Sequence, residues 1–187
     1  MKKLVMIALV ALLSPVFAEA PDVRTLKGVT LPVRIARDGK ALTLNGMGVR
    51  TKVVFKVYVG GLYVEKTSNN ADELISSEQY KLIEMVFLRA VDGITVADVI
   101  REGFDKNSKE QLPALKDRME KFRKLIPDLK KGDKLAFLYA PAKGLIVESN
   151  GKALGAVEGR DFAEALFRCW LGGIPADKTL KKGLLGE

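Results

Sequence analysis

The sequence predicts an α+β domain in which a largely antiparallel sheet carries helices on one face. Three observations lead there. β-prone runs arrive in pairs, and two of the connections contain Asp38-Gly39 and Asn150-Gly151, the dipeptides that favour tight hairpins. Helical patterns arrive in blocks, at 95–126 and 161–183, instead of alternating with strands as in a parallel sheet. The composition shows no Ser/Gly/Pro-rich linker, low-complexity tract or internal repeat, and the length fits one domain with a substantial core.

Leu31 to Ile35 and Ala41 to Leu44 read as strands joined through Asp38-Gly39. Asn45 to Glu65, NGMGVRTKVVFKVYVGGLYVE, is the most informative segment. Gly46 and Gly48 permit backbone conformations closed to other residues, so the segment is expected to open with a tight turn that aims Arg50. A guanidinium there is a planar fork for a carboxylate or other oxyanion, and the alternative is a glycine bend with Arg50 in solvent. A long strand is expected from Lys52 to Val64. Its Val53, Phe55, Val57, Val59 and Tyr63 form an apolar row, predicted to face the helices. The opposite row, Lys52, Val54, Lys56, Tyr58 and Leu62, is mixed and predicted to face a cleft or solvent.

A short helix is expected at 71–76 and a strand at 80–90. Thr95, with Asp98 three residues on, predicts a capped helix to about Phe104. A second helix over 110–126 places Leu115, Met119, Phe122 and Ile126 on one face. Its basic residues Lys116, Lys121, Arg123 and Lys124 fit a solvated face, with weak contact to an anionic membrane surface as the alternative. Strands at 134–139, 145–149 and 152–157 follow, and the chain closes with helices at 161–171 and 176–183.

The start of the chain reads as a targeting signal. Lys2 and Lys3 precede the apolar run Leu4 to Leu13, and Ser14-Pro15 breaks it before small residues. That run is too short to span a bilayer. Cleavage after Ala18 is favoured over Ala20, where Pro21 would follow the scissile bond. Residues 1–18 are thus expected to be a cleaved signal peptide and 19–187 a single periplasmic domain without a transmembrane segment. Losing Lys2 and Lys3 lowers the net charge from +8 to +6, still basic enough to favour anionic partners. Nucleic acid is a poor candidate partner outside the cytoplasm.

The chain contains no histidine, which excludes Ser-His-Asp and Cys-His nucleophile systems and His-bearing zinc or haem sites. Its one cysteine, Cys169, rules out an internal disulfide. No metal or cofactor is expected.

GMGVR followed by FKVYVGGLYVE resembles the Gly-x-Gly-x-Arg turn and following strand of chalcone isomerase-like proteins. The closing FAEALFRCWLGG resembles that family's C-terminal helix, and Gly93 opening a helix after a strand fits a third shared block. The combination looks like a secreted bacterial branch. The resemblance implies an open-faced β-sandwich, a large antiparallel sheet with helices packed on one face. It also implies two activities. Plant enzymes of the family close a chalcone to a flavanone, an intramolecular lyase reaction, whereas non-catalytic members bind fatty acids with the turn arginine on the carboxylate.

Carried over by position, the resemblance retains the arginine as Arg50 and places the family's strand threonine at Tyr58. The catalytic-region tyrosine falls at Val96, its asparagine at Gly103, and the serine or threonine of the last helix at Cys169. Val96 and Gly103 offer no side-chain donor for charge on an enone oxygen, so no catalytic residue is assigned. Arg50, Tyr58, Val96, Gly103 and Cys169 are the candidate ligand-binding positions. The alternatives are an ordinary sheet residue for Tyr58, a small buried apolar residue for Cys169 and a core plug for Trp170. Lys56 shares parity with Tyr58 unless a bulge intervenes. The leading expectation is an exported binding protein for a fatty acid or similar amphipathic carboxylate. The competing expectations are an isomerase using Arg50 and Tyr58, and an accessory envelope protein.

Overall fold

The computed structural model describes residues 22–187, so the expected signal peptide at 1–18 lies outside the described residues. Seven antiparallel strands form the main sheet in sequence order. They are β3 (Arg34–Arg37), β4 (Lys40–Lys52), β5 (Phe55–Val64), β6 (Lys81–Phe87), β7 (Lys134–Ala140), β8 (Gly144–Ser149) and β9 (Lys152–Val157). A separate hairpin of β1 (Val23–Leu26) and β2 (Val29–Pro32) precedes them. The helices are α1 (Ala71–Ser76), α2 (Gly93–Asn107), α3 (Leu112–Arg123), α4 (Arg160–Leu171) and α5 (Lys178–Leu184). No helix among the described residues is long and apolar enough to cross a membrane.

Both expected hairpin turns form with positive φ at each central residue, Asp38 and Gly39 at 51° and 76°, Asn150 and Gly151 at 49° and 79°. This is the twist that continues smoothly into antiparallel strands. A third turn of the same kind, Lys27-Gly28, joins β1 to β2, and the expected strand 31–35 is in fact divided between β2 and β3.

Gly46 and Gly48 are not in a turn. They lie inside β4, opposite Leu62 and Gly60 of β5. Their role is close approach: a Cβ on Gly48 would stand 2.9 Å from the Leu180 carbonyl oxygen, and one on Gly46 would collide with backbone atoms of α5. Gly183 on α5 reciprocates, since a Cβ there would be 2.5 Å from the Met47 oxygen. Asn45, at a register shift just before, locks the contact by donating to the Leu184 carbonyl at 2.8 Å. The reversal expected at the glycines occurs instead at Val53-Val54, with Val53 at φ 59°, so the strand expected from Lys52 begins at Phe55.

Val57 packs against the helix-side core and Tyr58 borders a cleft, as expected, but the rest of β5 presents its rows the other way round. Tyr58, Leu62 and Val64 point into the large core beneath the helices, with Phe104, Phe122, Phe137, Phe162 and Trp170. Val59 and Tyr63 join a second core with Leu31, Leu42, Leu82 and Leu138, into which the β1–β2 hairpin contributes Val29 and Leu31. The sheet is therefore buried on both faces here, which explains why both rows of the strand are rich in apolar residues.

Thr95 does not cap α2. The helix begins at Gly93, whose N–H donates to Asp128 Oδ1 at 2.8 Å and whose missing side chain admits the Ile126–Pro127 backbone. On α3 the expected apolar face is buried at Leu115, Met119 and Phe122.

Candidate functional site

Arg50 and Tyr58 are direct cross-strand partners on β4 and β5. The next pair is Thr51 with Lys56, so the strand register shifts and Val57 is left without a partner on β4. This is a β-bulge, a device that re-aims side chains. Its result is that consecutive residues Val57 and Tyr58 both border one cavity, whereas Lys56 stays outside it.

Tyr58 is buried, and its hydroxyl accepts a hydrogen bond from Trp170 Nε1 at 2.9 Å. An indole only donates, so the phenolic proton remains for another acceptor. Burial pushes the Tyr58 phenol up to about 12, against the Trp170 bond and the Arg50 charge. At neutral pH it is a hydrogen-bond donor and not a phenolate.

Arg50 is partly buried, donates to the Thr51 carbonyl at 3.0 Å and stands 3.6 Å from Asp177 Oδ2. Asp177 caps α5, accepting from Thr179 N at 2.8 Å and Leu180 N at 3.0 Å, and it also accepts from Thr51 N at 3.0 Å. Burial opposes its ionisation, but the N–H groups of Thr51, Leu180 and Thr179, with Arg50, outweigh it and lower the carboxyl below its ordinary value. The long separation from Arg50 leaves the guanidinium without a bidentate carboxylate partner among the described residues.

The cavity encloses about 500 Å³ between β4–β6 and helices α2 and α4. Its floor is buried and mainly apolar, with Met85, Phe87, Ile100, Cys169 and Trp170 beside Tyr58. Val57, Val91, Val96 and Val99 form half-buried walls, and the exposed rim includes Lys52, Val53, Phe55, Arg89 and Asp92. A concave apolar space with a few convergent polar groups suits a small amphipathic ligand.

The sequence profile described as chalcone isomerase-like matches residues 23–186. This chain belongs to the chalcone isomerase-like family. No curated protein matches it by sequence. Among solved structures it is similar to an Arabidopsis thaliana fatty-acid binding protein, with 15% identity and a TM-score of 0.71 over 88% of this chain and 96% of that one. At that identity the likeness shows the fold: a large curled antiparallel sheet with helices, as the family resemblance implied.

Of the positions carried over from the family, Arg50, Tyr58, Val96 and Cys169 border the cavity. Gly103 does not. It sits at the α2–α4 crossing, where a Cβ would lie 2.6 Å from Cys169 Sγ, and its lack of a side chain allows these helices to touch. Cys169 is buried, with its thiol directed to the Ile100 and Ala165 carbonyls at 3.5 and 3.7 Å. Burial raises its pKa far above the ordinary thiol value, so it is an inert wall residue. Trp170 does more than plug the core, since it fixes the Tyr58 hydroxyl.

Sequence reasoning missed Asp177, and Thr95 and Arg89 on the exposed rim. Asp177 carried a readable signal, an Asp immediately before a helical segment. Its approach to Arg50 joins residues far apart in the chain and had none.

Proposed function

We propose that this protein is an exported binding protein of the chalcone isomerase-like family that holds a fatty acid or similar amphipathic carboxylate. The observation that carries the reading is the placement of Arg50 opposite Tyr58 on the wall of an apolar cavity of about 500 Å³. The guanidinium and the free phenolic proton supply donors for one carboxylate, and Val57, Phe87, Val96, Val99 and Ile100 supply apolar contact for its chain. The similar fold of a fatty-acid binding protein supports the ligand class.

Chalcone cyclisation fits less well. Val96 and Gly103 bring no hydrogen-bond donor, and the Cys169 thiol is protonated and committed to backbone carbonyls. Arg50 and Tyr58 alone form an anion-binding pair, which binds without a general base. The leader at 1–18 favours export to the periplasm, in keeping with a secreted bacterial branch of the family.

Native mass spectrometry of the protein recovered from the periplasm of its producing cell tests both parts. The expected result is a chain beginning at Glu19 that retains a small organic acid, released on denaturation. An intact Met1 overturns the export reading, and failure to take up added palmitate overturns the ligand reading.

A further inference from the structure

The β4–β5 hairpin ends in three consecutive apolar residues that the fold does not use. Val53, Val54 and Phe55 are 89%, 76% and 59% exposed and belong to neither hydrophobic core. Val53 also occupies φ 59°, a left-handed conformation that disfavours β-branched residues and that Gly or Asn adopts readily. An exposed apolar tip with an ill-suited turn residue is a poor solution for folding and solubility alone.

Cations surround the tip. Lys52 and Lys56 flank it in sequence, and the Arg89 guanidinium lies 4.9 Å from the centre of the Phe55 ring. Asp92 is the acidic side chain on the same rim, and Glu102 lies near enough to sense Lys52. Val53, Phe55, Lys52 and Arg89 all belong to the cavity rim, so whatever covers the tip also meets the cavity mouth.

We infer that this hairpin tip docks on an anionic phospholipid bilayer, inserting Val53, Val54 and Phe55 at the level of the headgroups while Lys52, Lys56 and Arg89 contact lipid phosphates. Apolar side chains surrounded by cations match the interfacial layer of such a membrane. Three side chains offer far less than the roughly 800 Å² per partner of a stable protein interface. The docking places the cavity mouth against the lipid, where an amphipathic acid is concentrated. The step from docking to ligand uptake rests on the proposed carboxylate site, but docking itself does not.

The test uses a position-specific probe at the tip, so that its signal does not depend on whether residues 1–18 are retained. Trp170 is the one native tryptophan and is buried, so Val54→Trp adds a distinguishable exposed reporter. Without added fatty acid, emission from the introduced indole is expected to shift to the blue and be quenched by brominated lipid in vesicles of equal phosphatidylglycerol and phosphatidylcholine. Pure phosphatidylcholine vesicles are expected to leave it unchanged. Adding Lys52→Gln and Lys56→Gln should weaken the anionic-vesicle response roughly 25-fold, at about fivefold per cation. Docking is overturned if the introduced indole stays in water while the protein sediments with anionic vesicles, if neutral vesicles give the same response, or if the lysine changes have no effect. Palmitate binding measured in vesicle-free solution reports separately on the cavity.

Discussion

Replacing Arg50 by alanine separates a ligand-binding arginine from a structural one. In the folded protein Arg50 makes one hydrogen bond to its neighbour's carbonyl, at 3.0 Å, and an ion pair with Asp177 at 3.6 Å. Asp177 keeps three backbone N–H donors without it. The loss in fold stability is therefore expected to be about 1 kcal/mol or less, the scale of a weak ion pair. A bound carboxylate loses a charge-assisted hydrogen bond, worth about 1.5–3 kcal/mol, or roughly 10- to 150-fold in Kd. Arg50→Lys should recover only part of this, since an ammonium keeps the charge and loses the planar fork. Asp177→Asn keeps an acceptor at the α5 cap and removes the competing charge, so affinity should rise severalfold. Titration calorimetry with fatty acids of graded length, paired with thermal melts of all four proteins, measures both quantities. Palmitate bound equally well by Arg50→Ala, or a stability loss exceeding the affinity loss, would refute the reasoning and return Arg50 to a structural role.

Four further outcomes are expected. Tyr58→Phe strips the buried Trp170 Nε1–H of its acceptor, so urea melts should show a loss of about 1–3 kcal/mol; an unchanged midpoint would mean that the indole finds another partner. Gly48→Ala puts a Cβ 2.9 Å from the Leu180 oxygen and should cost about 1–3 kcal/mol by forcing α5 off β4, a change that a melt would miss only if the helix moves freely. Lys81 is buried, donates to the Leu74, Ile75 and Ser77 carbonyls, and is lowered to about 8 by burial, against the pull of Glu164. Its folded pKa lies below the unfolded value, so the unfolded chain binds more protons between pH 8 and 10.5 and stability should rise across that window relative to Lys81→Met, by at most about 3 kcal/mol; a flat difference would show that the cation is not penalised. Finally, with Val96 and Gly103 in place of donors, the protein should not accelerate chalcone cyclisation, and stereoselective flavanone formation at enzyme-like turnover would overturn that assignment.

Features set by neighbouring residues were legible in the chain alone. Asp38-Gly39 and Asn150-Gly151 specified their hairpins because only a few side chains tolerate positive φ at both central positions. The apolar spacing at Leu115, Met119 and Phe122 specified the buried face of α3. The lack of histidine and the single cysteine bounded the chemistry before any fold was known, and the motifs around Arg50 identified the family. Contacts across the chain were decided elsewhere. Gly46 and Gly48 look alike in sequence whether they make a turn or admit a helix backbone, and it is α5, at the far end of the chain, that makes them a docking groove. Both rows of β5 are apolar because both faces are covered, so the period of two could not say which side the helices take. The Arg50–Tyr58 pairing depended on a bulge at Val57, and the ion pair with Asp177 on the return of the last helix. Local backbone preferences are encoded residue by residue; the binding site required distant segments to meet at one register.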